Sequence, residues 1–279
     1  MGTSTSCSGG KAGSPFDPEW LSPDTAGNTG ASDSTDKESP SVPAHSNEKP
    51  ENPDKAKNEA ELAPKRRYAE AKRNISGHLA GKNNSSIKSA VKSMINKGMG
   101  GSRRAASTMR NTAQGVGTLG QFLSTVRDRS DSNVVNWVDR VRQGNLSADD
   151  LILELVQEVL PNTGSIDDES LRNAAANALG QLYEEVPNVD IFNLNDQQIH
   201  RVMAITIANE VCNRMDLQLG QIYEKLKYTP QQIQQYRNDV QEYVQAEVSV
   251  VMVRHSGGNM LPQKLAYEVL QSALEVFAS

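Results

Sequence analysis

Cysteine is nearly missing from this chain: Cys7 and Cys212 are the two among 279 residues. That excludes a disulfide framework and a closed four-cysteine zinc site. Aromatic residues make up only 5%. No stretch of about 18 apolar residues occurs, so no hydrophobic membrane-spanning helix is expected. The start of the chain has no basic segment leading into an apolar one, so no secretory signal is expected and the protein is placed in the cytoplasm. Histidine is sparse too. His45, His78, His200 and His255 stand singly, without a second ligand pair at metal-binding spacing, and neither a metal nor a bound cofactor is expected. Gly-x-Ser-x-Gly, His-Glu-x-x-His and the phosphate-binding Gly-x-x-x-x-Gly-Lys-Ser/Thr are all missing. Without a catalytic constellation, no enzymatic activity is expected.

What is present is a strong partition of charge. The net charge of −5 conceals three zones. Residues 1–64 hold 5 basic and 11 acidic residues, residues 65–110 hold 12 and 1, and residues 111–279 hold 12 and 22. A basic block thus lies between two acidic ones. Eight of the twelve prolines fall in the first zone, and from Ser22 to Asn58 it has no aromatic residue and Val42 as its one β-branched aliphatic. Such a segment buries too little apolar surface to offset its ordering entropy, and residues 1–63 are expected to be a disordered leader. Phe16-Asp17-Pro18-Glu19-Trp20-Leu21 is an apolar island within it, read either as a random cluster or as a short docking motif.

From Pro64 onward the patterning is helical. A basic helical region is expected over 64–127 and an acidic all-α domain over 128–279. Tyr68, Ala69, Lys72, Ile75 and Leu79 fit a weak amphipathic period. Ser85 or Ser86 caps a second helix, Gly98-Met99-Gly100-Gly101 ends it, and Ser102 caps a third that runs toward Phe122 and Val126. Val134, Val135, Val138 and Val141 form a stripe with Trp137 beside it. Ser147 caps the helix of Leu151, Ile152, Leu155 and Val156. Ser165 or Asp167 opens the next, and Asn195 caps a long one. Thr229-Pro230-Gln231-Gln232 combines a cap, a first-turn proline and a capping-box glutamine. Pro262 begins the last helix. Asp167-Asp168-Glu169 is a carboxylate cluster where a helix begins, which suits the positive end of its dipole better than catalysis. Cys212 falls on an apolar helix face as a small core residue.

Gly115-Val116-Gly117-Thr118-Leu119-Gly120 matches the dinucleotide fingerprint by letter. The fingerprint needs flanking parallel strands, and a basic Ala-rich helix precedes it instead. Close helix approach is the favoured role, with a kink as its cost. The basic block carries Arg66, Arg67, Lys72, Arg73, Arg103, Arg104 and Arg110. It reads as a surface for an acidic protein or for nucleic acid. Protein contact is favoured, because Tyr68 is its only aromatic and base stacking is poorly supplied.

The first residues are the most informative. Glycine at position 2 permits removal of Met1 and leaves an uncrowded α-amine, partly neutral at physiological pH since such amines titrate near ~7.7–8.0. Met1-Gly2-Thr3-Ser4-Thr5-Ser6 also matches the N-myristoylation pattern, with Cys7 as a second acylation site. That reading needs a eukaryotic host, and a single acyl chain is a marginal anchor. An ordinary unstructured start is the remaining reading.

Met1-Gly2-Thr3-Ser4, Gly9-Gly10, Gly13-Ser14-Pro15 and Pro18-Glu19-Trp20-Leu21 together resemble the opening of the QatB family of bacterial Qat anti-phage systems. Gly98-Met99-Gly100-Gly101-Ser102-Arg103-Arg104-Ala105-Ala106, with Met109-Arg110, is similar to a second stretch of that family. The resemblance covers about residues 1–21 and 94–125. Phe16-Asp17 stands where the family has an apolar pair, and Lys11 where proline is common. The resemblance implies three partners: an ATPase, a QueC-like enzyme and a TatD-like nuclease. It further implies that the QueC-like enzyme activates a 7-deazaguanine carboxylate with ATP and joins it to a protein N-terminus. On that view Gly2 is the acceptor and a covalent 7-deazaguanine is the only group carried. Thr3, Ser4, Gly9 and Gly10 then lie along the enzyme's channel, and Phe16, Trp20 and Leu21 anchor the tail outside it.

Overall fold

A computed structural model describes residues 67–81, 86–186, 188–223, 228–258 and 260–279. The chain divides after Ala60, and every described residue belongs to the second unit. Among them are ten α-helices and no strand: α1 (Ala69–Leu79), α2 (Ile87–Ser93), α3 (Ser102–Thr108), α4 (Arg110–Asp128), α5 (Ser132–Gln143), α6 (Ala148–Val159), α7 (Ile166–Glu185), α8 (Asp196–Tyr223), α9 (Pro230–His255) and α10 (Pro262–Ala278). The all-α expectation holds. A π turn, Met94–Gly98, extends α2, and a 3₁₀ turn, Ile191–Asn193, precedes α8.

The helix starts follow the expected side chains. Ser86, Ser147 and Ser165 each accept a hydrogen bond from the backbone N–H three residues on, at 3.1, 3.2 and 3.1 Å. Asn195 and Gln198 satisfy each other's backbone N–H reciprocally, both at 2.9 Å. Thr229 and Gln232 form the same box, at 3.2 and 3.0 Å, with Pro230 in the first turn. Each box satisfies orphan donors that a helix start otherwise exposes.

Three local readings need correction. Ser102 is the first residue of α3 rather than its cap; Gly101, at φ 94°, holds the cap position. The third helix does not run unbroken to Val126. It stops at Thr108 and restarts at Arg110, with Met109 between at φ −104°, ψ 20°. Thr108 Oγ1 bonds back to the Ala105 carbonyl at 2.8 Å, which competes with the helical ladder and favours a break. On α1 the buried stripe is Ala71 and Ile75, whereas Ala69 is exposed. The expected start at Pro64 lies outside the described residues.

One core runs from Ala71 on α1 to Phe277 on α10. Every residue of α8 from Val202 to Val211 is buried. Ile199, Val202, Met203, Ile207 and Val211 mark one apolar face of this helix in the sequence, but α4, α7 and α9 pack around it, so Ala204, Ile205 and Ala208 are buried as well.

The three glycines of the fingerprint-like stretch lie within the single helix α4. Added Cβ atoms would meet Leu171 of α7 at 2.3 Å from Gly115, Gln263 of α10 at 2.6 Å from Gly117, and Met203 of α8 at 2.4 Å from Gly120. The missing side chains therefore admit three neighbouring helices to one.

Candidate functional site

Gly2, Thr3, Ser4, Gly9, Gly10, Phe16, Trp20, Leu21 and Arg66 lie outside the described residues. The rest of the basic set is divided between two places. Arg67 stacks its guanidinium 4.6 Å from the centre of the Tyr68 ring and donates to Gln218 Oε1 at 3.5 Å. Tyr68 also donates to Gln218. Burial raises the pKa of that phenol, against the opposing effect of Arg67. Tyr68 is thus half-buried and hydrogen-bonded, with Arg67 over its ring. Lys72 is half-buried and Arg73 exposed on α1. Lys97 pairs with Glu70, and the hydrogen bond from Lys97 holds that carboxyl below its usual range.

Arg103, Arg104 and Arg110 are different. All three are exposed, and none makes an ion pair or side-chain hydrogen bond among the described residues. Their placement follows from the residues around them. Gly100 and Gly101 take positive φ angles of 81° and 94°, which glycine adopts without strain. The turn they make delivers α3 with Ala105, Ala106 and then Met109 buried, and α3 packs on α10. The arginines are left on the outer side. Arg103 and Arg110 then line one groove of about 650 Å³ with Ser107 of α3 and with Tyr267 and Gln271 of α10. Tyr267 is 50% exposed.

A second cleft, of about 910 Å³, lies among α7, α8 and α9 and is lined by Ser170, Asn173, Asn177 and Asn213. Behind it Glu210 is 3% exposed. Its carboxylate accepts from Thr112 at 3.2 Å, Ser170 at 2.5 Å and Asn213 at 3.3 Å. Three neutral donors from α4, α7 and α8 converge on this one buried acid, which is how a buried carboxylate is made tolerable.

Sequence reasoning missed Tyr267 and Glu210. Both left a signal: Tyr267 stands off the apolar stripe of α10, and Glu210 is the one acid in the buried run of α8. Two histidines found acidic neighbours that spacing did not reveal. His78 lies 3.1 Å from Asp239, and His255 lies 3.5 Å from Glu268. Burial lowers the pKa of His200, against the opposing charge of Asp196. Cys212 keeps a little accessible surface, but its thiol is packed near Met215, Tyr236 and Val240. That packing pushes its pKa up to about 12. Among the described residues no group of three His, Cys, Asp or Glu converges as a metal site, and no helix is long and apolar enough to cross a membrane.

No curated protein and no solved structure matches the chain. The sequence profile described as Qat anti-phage system associated protein QatB matches residues 100–277. The match begins at the Gly100-Gly101 turn, takes in the groove arginines and ends at Phe277, the last buried residue of α10. It covers well over half of the 279 residues, and the chain belongs to the QatB family.

Proposed function

We propose that this protein is a non-enzymatic subunit of an anti-phage defence complex and that Gly2, once Met1 is removed, is the acceptor for a 7-deazaguanine carboxylate activated by a QueC-like partner. The observation that carries the reading is the opening Met1-Gly2-Thr3-Ser4 with Gly9-Gly10, on a chain that belongs to the QatB family. Membership supports other Qat components as its partners, and the reading takes these to be the ATPase and the TatD-like nuclease beside the QueC-like enzyme.

The chemistry asks little of the acceptor. The partner joins the carboxylate to AMP, using ATP and releasing pyrophosphate. The neutral α-amine of Gly2 attacks the acyl carbon. A C–N bond forms, the C–O bond to AMP breaks, and the amine gives up a proton to leave an amide. A terminal amine titrating near ~7.7–8.0 is neutral often enough to attack at physiological pH, and a lysine is not. Glycine adds no side chain that would crowd the approach.

The test is a Gly2→Lys variant within the complete defence system. A large second residue retains Met1 and crowds the amine. The reading predicts loss of the conjugate and loss of protection, with the protein still present at its usual level. Full protection without any conjugate overturns it.

A further inference from the structure

The groove between α3, the start of α4 and α10 is built from residues between Arg103 and Gln271 and does not depend on the acceptor proposed at Gly2. We propose that it binds single-stranded nucleic acid, with Arg103 and Arg110 on the phosphates and Tyr267 stacked on an unpaired base.

Four observations converge. Arg103, Arg104 and Arg110 are exposed and have no acidic partner among the described residues, whereas the ion-paired arginines all lie further along the chain, from Arg127 to Arg237. Unpaired guanidinium forks suit phosphate oxygens, and no intramolecular bond has to break first. The groove holds about 650 Å³, inside the roughly 300–1,000 Å³ range of small-ligand sites. Tyr267 keeps half of its surface in solvent at the groove wall, although α10 otherwise turns its large apolar residues inward. Gln271, whose amide donates to Glu275 at 3.2 Å, adds a polar group to the groove wall beside the arginines.

The aromatic decides between the two partner classes. An acidic protein surface would need the arginines alone. A single strand needs charge for its backbone and a flat face for its bases, and base–aromatic stacking tolerates any base. The basic block lacked that face while Tyr68 was its only aromatic. The fold supplies it from Tyr267, more than 150 residues further along the chain. A duplex keeps its bases stacked on one another and offers Tyr267 nothing.

The experiment uses the full-length protein and a fluorescein-labelled thymidine 12-mer, read by anisotropy from 50 to 200 mM salt. The proposal predicts binding that weakens with salt with a log–log slope of about −1.4, as two arginine–phosphate contacts give on a single strand. Y267A weakens binding by about fivefold or more, and Y267W restores it. R103E/R110E abolishes it. All three side chains are exposed, and circular dichroism confirms that each variant is folded. No binding at 50 mM salt overturns the proposal. So does binding that Y267A leaves unchanged, or that poly-glutamate or a duplex of equal length competes away equally well. Those outcomes identify a plain electrostatic surface, suited to an acidic protein.

Discussion

Gly117 of α4 and Gln263 of α10 meet at the backbone: a Cβ on Gly117 would stand 2.6 Å from the Gln263 Cα and 3.2 Å from its N. Backbone atoms cannot swing aside as the end of a side chain can. Gly117→Ala is therefore expected to force α4 and α10 apart, at a cost of about 1–3 kcal/mol for overpacking. The gain in helix propensity, about 1 kcal/mol, offsets only part of that. Gly120→Ala meets the end of the unbranched Met203 side chain instead of backbone and is expected to cost less. Gly180, inside α7, has no atom within 4 Å of an added Cβ. Gly180→Ala is expected to stabilise by roughly 0.5–1 kcal/mol. Urea unfolding of the three variants checks the order; a Gly117→Ala protein as stable as the parent contradicts it.

Glu210→Ala removes the acceptor shared by Thr112, Ser170 and Asn213. The donors on α4 and α7 are left without it, and the expected loss is roughly 3 kcal/mol, since hydrogen bonds to a charged group are among the stronger ones. Glu210→Gln keeps the shape and one acceptor oxygen and is expected to lose less. Equal stability of the two variants would show that the network does not hold these helices together.

The capping box at α9 gives a smaller and local effect. Thr229→Ala removes the acceptor for the Gln232 N–H and is expected to cost about 1 kcal/mol. Thr229→Ser keeps the oxygen and is expected to be nearly neutral. Hydrogen exchange of the first turn of α9 separates this from a global change: the alanine variant should exchange faster there than in the core of α8.

Alkaline pH tests the packing around Cys212. Its thiol titrates near 9.0 when unfolded and is pushed up to about 12 in the fold by burial. The folded state then holds a proton that the unfolded state has released. Stability from this group is fully present below pH 9 and is lost as pH rises toward 12. The buried phenol of Tyr236 shifts in the same direction, also through burial, and adds to the loss above pH 10. Stability is expected to fall across this window, and less steeply in Cys212→Ala. In the native protein Cys212 is also expected to resist thiol reagents at pH 8 that modify it rapidly in urea. Fast labelling of the folded protein contradicts the burial.

Much of this fold was legible because helices announce their ends. Ser147, Ser165, Asn195 and Thr229 sit at the expected caps, and the glycines of α4 serve close approach rather than a nucleotide. The break at Met109 was not legible, because Thr108 disturbs the ladder through a bond that its letter alone does not disclose. Nor was the groove. Arg103 and Arg110 declare their charge in sequence, but Tyr267 reaches them only when α10 packs back on α3 and α4. The inward side of α8 was underestimated for a similar reason. A stripe shows one partner, and α8 packs against α4, α7 and α9 as well as touching α10.

The most direct measurement of the acceptor role is the intact mass of the protein made alongside its QueC-like partner, followed by fragmentation of its N-terminal peptide. The account predicts loss of Met1 and a gain of one 7-deazaguanine carboxylate less one water, located on the Gly2 nitrogen. An unmodified Gly2 beside a partner shown to be active contradicts it.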